Sequence, residues 1–118
     1  MDPRLQHGVD LFNRREFFVC HEVLEEIWMP ERGPRRRFLQ AIIHFAVAFY
    51  HDQRGNPLGA SRQLRKGLRK LAPYLPSHEG IDTAQLYSDG LAAVEKTEAG
   101  ATLAHYPQIQ LVQTARAV

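Results

Sequence analysis

One short segment carries most of the chemistry that this chain can offer: His21-Glu22-Val23-Leu24-Glu25-Glu26-Ile27-Trp28. In a helix His21 and Glu25 are one turn apart, so an imidazole and a carboxylate face the same way. Such a pair can chelate one divalent ion, pass a proton between acid and base, or lock into a hydrogen-bonded network. At 100° per residue, with His21 at zero, Phe17, Cys20, Leu24, Ile27 and Trp28 make an apolar face. His21 lies within its border and Glu25 beside it, while Glu22 and Glu26 point away.

A second polar line lies further along. Arg37, Gln40, His44 and His51 share one side of a segment otherwise rich in Phe38, Leu39, Ile42, Ile43, Phe45, Val47, Phe49 and Tyr50. Apolar residues point nearly all round that segment, so it is expected to be the central, buried helix. An unpaired buried polar group costs about 1–3 kcal/mol, so the line needs partners. A hairpin would place it against His21 and Glu25. Three readings follow. The first is a buried network in which Glu25 accepts from Arg37 or a histidine, Gln40 fills gaps, and the set fixes helix register. The second is a metal site, His21 and Glu25 plus His44 or His51 as two histidines and one carboxylate; Arg37 on the same line opposes a cation. The third is acid–base catalysis by the His–Glu pair without metal.

These side chains must be positioned by helices, and start and stop signals recur throughout. Asp2-Pro3 reads as N-cap and first helical position, opening a helix to about Phe12. Asn13 with Glu16 reads as a capping box for the next helix, which Pro30 stops. Gly33-Pro34 restarts the chain into the long third helix, 35–53, closed by Gly55. Asn56-Pro57 opens a fourth helix that ends before Pro73, and Asp82 with Gln85 reads as another capping box that opens a fifth over about 83–97, closed by Gly100. Residues 101–118 carry no firm pattern beyond a hint of alternation at Ile109, Leu111 and Gln113. The expected fold is all-α: one domain over 1–118 with its core in 3–97, an antiparallel bundle of about five helices in which tetratricopeptide-like hairpin packing is one arrangement.

Composition bounds the class. The chain has 118 residues, 44% hydrophobic and 24% charged, enough for one core. No apolar run reaches membrane-spanning length, the first residues lack the apolar core of a signal peptide, and one cysteine leaves no internal disulfide. The expected location is the cytoplasm, with no membrane partner. The net charge of +2 is too small for a protein that coats nucleic acid globally. Even so, the fourth helix gathers Arg62, Arg65, Lys66, Arg69 and Lys70 on one arc, and no Asp or Glu occurs from Gln53 to His78. That arc is either a solvated face or a surface for an anionic partner. Cys20 is expected to be an inert buried thiol, and Trp28 a core anchor.

The combination of Phe12-Asn13, Phe17-Phe18, the His21-x-x-x-Glu25-x-x-Trp28 spacing, Arg37-Phe38-Leu39-Gln40, Ala46 to His51, Arg54-Gly55-Asn56, Gly59-Ala60 and the Leu64 to Leu71 helix resembles the bacterial and archaeal family catalogued as domain of unknown function 309. The resemblance covers about 5–75. It implies a compact helical domain and a metal-binding role suggested for the motif, here His21 and Glu25 with Trp28 beside them. Ala41 and His44 depart from the pattern, where Gly and Gln are expected, so the resemblance favours His51 over His44 as third ligand. Three functions remain in view. The first is an interaction or scaffold domain with a protein partner. The second is a metal-dependent hydrolase holding zinc or manganese on His21, Glu25 and His51. The third is a nucleic-acid or regulatory binder using the basic helix.

Overall fold

The structure, a computed structural model, describes residues 1–112. Asp2 accepts a hydrogen bond from the Arg4 amide at 2.8 Å and caps α1, Pro3–Asn13, with Pro3 in its first turn. Helix α2 spans Phe17–Trp28 and α3 spans Arg35–Gln53. Asn56 accepts from the Gly59 amide at 3.0 Å and opens α4, Pro57–Leu71, which runs into a 3-10 turn at Ala72–Tyr74. Asp82 accepts from the Gln85 amide at 2.9 Å and opens α5, Thr83–Glu98. Gly55 and Gly100 stand at φ of 75° and 84° just past the ends of α3 and α5, the left-handed conformation that closes a helix without steric cost.

Each helix packs on its neighbour in sequence: α1 on α2, α2 on α3, α3 on α4, α4 on α5. The described residues thus form an all-α bundle, and none of their helices is long and apolar enough to cross a membrane. Helix α3 is central, as its all-round apolar pattern predicts, with Phe38, Leu39, Ile42, Phe45, Ala46 and Phe49 buried. Phe12, Phe17 and Phe49 meet in a cluster with ring centroids 5.1–5.8 Å apart, which knits α1, α2 and α3 together.

Two local expectations are corrected. Asn13 does not cap α2. It is the last residue of α1, and Glu16, at the N-cap of α2, makes no side-chain capping bond. The Asn13 amide is taken by a distant backbone: its Oδ1 accepts from the Ile109 amide at 2.7 Å and its Nδ2 donates to the Ile109 carbonyl at 3.1 Å. Nor is the box at Asp82 reciprocal, because the Gln85 side chain donates to Asp89 instead, at 3.0 Å.

The segment after Gly100, unassigned by pattern, folds back over the bundle. The buried carboxylate of Asp52, on α3, accepts from the Leu103 amide at 3.1 Å and from the Tyr106 hydroxyl at 2.6 Å. Burial and the bond to Asp52 both push the Tyr106 phenol well above its ordinary range, so it remains a donor. Ile109 is buried, and Leu111 makes an isolated antiparallel bridge to Ile81. The alternation read at 109–113 ends here as that one bridge, and Gln113 lies outside the described residues.

Candidate functional site

Helix α3 is flanked by α2 on one side and α4 on the other, and the strip between them is an open groove floored by α3. The groove, about 240 Å³, is lined by His21, Glu25 and Trp28 from α2, by Gln40, Ile43, His44 and Val47 from α3, and by Gln63 from α4. An adjoining cleft of about 190 Å³ is lined by Phe17, Phe18, His21, Val47, Tyr50 and His51. His21 and Val47 belong to both, so the two form one continuous surface.

The side chains expected to converge do so in part. His21 Nδ1 donates to the Phe18 carbonyl at 2.9 Å, which fixes the ring and turns Nε2 toward Glu25 Oε1, 3.3 Å away. The pair is not buried: the Glu25 side chain is 45% exposed. This corrects the buried-network reading, in which Glu25 was the central acceptor. Arg37 is also misplaced in that reading, since it is exposed and makes no bond to Glu25. Of the polar line of α3, Gln40 and His44 floor the groove and His51 lines the adjoining cleft, while Arg37 is exposed, so the line faces outward and not into the interior of the bundle.

The arginine that joins the site is Arg36. Its guanidinium lies 4.1 Å from the Trp28 ring centroid, and its Nη1 donates to the carbonyls of Trp28 at 2.8 Å and Glu31 at 3.0 Å, closing the C-terminus of α2. Trp28 is thereby held as a half-buried wall whose indole Nε1 is buried with no acceptor among the described residues.

His44 has both ring nitrogens committed. A lysine ammonium only donates, so Lys70 Nζ donates a hydrogen bond to Nε2 at 2.9 Å, and Nδ1 donates to Gln63 Oε1 at 2.8 Å. Burial first, and then the charges of Lys70 and Lys66, push the His44 pKa below its ordinary value despite the Gln63 bond, so the ring is neutral near pH 7. His51 sits at the far end of the apolar cleft, its Nδ1 3.5 Å from the Asn56 amide nitrogen. Among the described residues no three His, Cys, Asp or Glu side chains are grouped to hold an ion, so His21 and Glu25 come together without His51 as a third partner. Cys20 is buried, its thiol pushed up to about 12 by desolvation, and it donates to the Gly8 carbonyl.

Arg62, Arg65, Lys66 and Arg69 are exposed on α4, with Arg65 paired to Glu98 of α5. Lys70 is drawn toward the groove by His44, and Arg37 joins the group from α3. Partial desolvation, followed by the like charges of Arg37, Lys66 and Arg69, lowers the Lys70 pKa. Sequence reasoning gave no site role to Arg36, Gln63, Phe18, Tyr50 or Asp52. For Gln63 a signal existed, since Lys66 and Lys70, already singled out, lie one and two turns further along the same helix. For Arg36 none did, since only the end of α2 tells it from Arg35 and Arg37.

Residues 5–63 match the family described as domain of unknown function (DUF309). The chain is also 39% identical over 68 residues to the uncharacterized protein YpuF of Bacillus subtilis (strain 168), a stretch that is 57% of this chain and 39% of YpuF. The chain therefore spans well under half the length of that relative. The matched residues carry α1 to α3 and the first half of α4, and with them every groove-lining side chain from His21 to Gln63. On that match over half of its length, this chain belongs to the DUF309 family.

Proposed function

We propose that this chain is an interaction module whose docking surface is the α2–α3–α4 groove together with the adjoining aromatic cleft. One observation carries the reading: His21 and Val47 join a polar groove and an apolar cleft into a single open surface built by three helices. Protein recognition needs such a mixture of apolar anchor and orienting polar groups. The groove side chains are held by bonds to the scaffold, as His21 is by Phe18 and His44 by Gln63 and Lys70, which favours a preformed site. A cytoplasmic setting agrees with the single cysteine, buried as a thiol. The test is photo-crosslinking in cells from a benzoylphenylalanine at Gln40, in the groove, against the same probe at Gln85 on α5. A discrete partner captured from Gln40 alone supports the reading. Equal capture from both positions, or from neither, ends it.

A second reading keeps a metal, zinc or manganese, on His21 and Glu25. It is favoured by the approach of Nε2 to Oε1 with Nδ1 already committed elsewhere, the usual arrangement of a ligating histidine. The remaining ligands would then be water or groups brought by a substrate, and a metal-activated water would make the chain a hydrolase. Chelator should lower the melting temperature of untagged protein, and added zinc or manganese should restore it, if this reading is right. Identical melting with and without chelator removes it.

A further inference from the structure

The groove has a direction, and the direction says what it receives. Arg37, Gln40, His44, Val47 and His51 follow one another at three- and four-residue spacing along α3, a stripe of about 21 Å from end to end at 1.5 Å per residue. At the His51 end the surface is aromatic and apolar: Phe18 stands 46% exposed, its ring 5.2 Å from Tyr50 and 5.3 Å from His21. In the middle, Glu25 is matched by His21, and Gln40 and Gln63 add neutral donors and acceptors. At the other end Lys70, bound to His44, is crowded by Arg37, Lys66 and Arg69. None of these four cations makes an ion pair among the described residues, and the chain offers no carboxylate between Gln53 and His78. Like charges gathered beside the groove repel one another, and an anion bound among them relieves that repulsion.

Resting on the docking surface proposed above, we infer that its occupant is an acidic–apolar segment of a partner protein. That segment lies along α3 with an apolar anchor in the Phe18–Tyr50 cleft and its carboxylates against Arg37, Lys66 and Lys70. A nucleic acid fits less well. The Phe18–Tyr50 aromatics gather at one end of the stripe, Tyr50 about 20 Å along α3 from Arg37 and about 9 Å from His44, which holds Lys70, instead of alternating with the cations as base stacking requires. The stripe accommodates about six extended residues or about fourteen helical ones.

The experiment is selection of random peptides of about fifteen residues, which reach along the stripe in either conformation. They are displayed on phage over the immobilised protein, with a Phe18→Ser/Tyr50→Ser variant as counter-selection. Phe18 is exposed and Tyr50 is half-buried against the core, so retained folding is checked by circular dichroism. Enriched peptides should carry Leu, Phe or Trp toward one end and Asp or Glu toward the other. Their affinity should fall about tenfold or more in Arg37→Glu/Lys66→Glu, and a peptide with Lys in place of its acids should bind that reversed protein instead. Apolar peptides enriched without acids, indifferent to the charge reversal, overturn this inference and leave the docking surface standing. No enrichment removes both. A generic DNA duplex that binds, weakens with salt and is lost in Arg37→Glu/Lys66→Glu, while no peptide is enriched, assigns the cations to nucleic acid and overturns the inference.

Discussion

At the scale of single residues, exposure decides what the His–Glu pair is worth. A carboxylate buried among donors is costly to remove, but Glu25 is nearly half exposed and has one partner. Glu25→Ala is therefore expected to cost under about 1 kcal/mol, the range of surface ion pairs, measurable by urea unfolding. A loss of 2 kcal/mol or more would restore the buried-network view. His44 is the opposite case, with one nitrogen accepting from a cation and the other committed to Gln63. Its pKa is lower folded than unfolded, so the folded state binds fewer protons. The stability tied to neutral His44 is present above pH ~6.5 and is lost as pH falls below it toward the folded pKa. Melting temperature should drop between pH 7.5 and 5.5, and His44→Gln, which keeps a polar side chain that does not titrate, should flatten that slope. An unchanged slope in the variant would show that other groups carry the effect.

At the scale of elements, the bundle depends on close approach where α5 crosses α4 and α3. Gly90 on α5 is the tight point: a Cβ there would lie 2.7 Å from Phe45 Cε1 and 3.0 Å from Leu68 Cδ2. Phe45 is fully buried and has no room to retreat. Alanine gains about 1 kcal/mol of helix propensity and loses about 1–3 kcal/mol to overpacking. Gly90→Ala should thus lower the melting temperature by several degrees, and a rise would mean that α5 shifts freely. The same glycine weakens the fifth helix when read as a sequence, which shows how a local penalty can be the condition for a tertiary contact.

For the molecule as a whole, the chain beyond Gly100 is bound to the core by two polar side chains from the helical part, Asp52 and Asn13. Tyr106 also packs edge-on against Phe17 and Phe49, with Arg15 over its ring. Asp52→Ala strands the Leu103 amide and the Tyr106 hydroxyl, at about 2–3 kcal/mol, and should speed proteolysis after Gly100. Asp52→Asn keeps an accepting oxygen and should cost less. Proteolysis unchanged in Asp52→Ala would show that the apolar contacts of Tyr106 and Ile109 suffice.

The helices were legible in the sequence because their signals are local. Asp2, Asn56 and Asp82 cap, Pro3 and Pro57 open, Gly55 and Gly100 close, and each acts on backbone within about one turn. The central place of α3 was legible too, since apolar side chains on all sides have to be covered. The same periodicity placed His21 beside Glu25. Periodicity reports only the angle around one helix, so it could not show that the Arg37–His51 line faces outward and not into the interior of the bundle. Nor could it show that Arg36, and not Arg37, meets Trp28. Asn13 and Asp52 were opaque for a different reason: their partners lie 96 and about 50 residues away, and a short polar side chain looks the same whether it caps its own helix or holds a distant strand of backbone. Spacing along the chain determined the elements, and the order in which they stack determined which polar face became a groove.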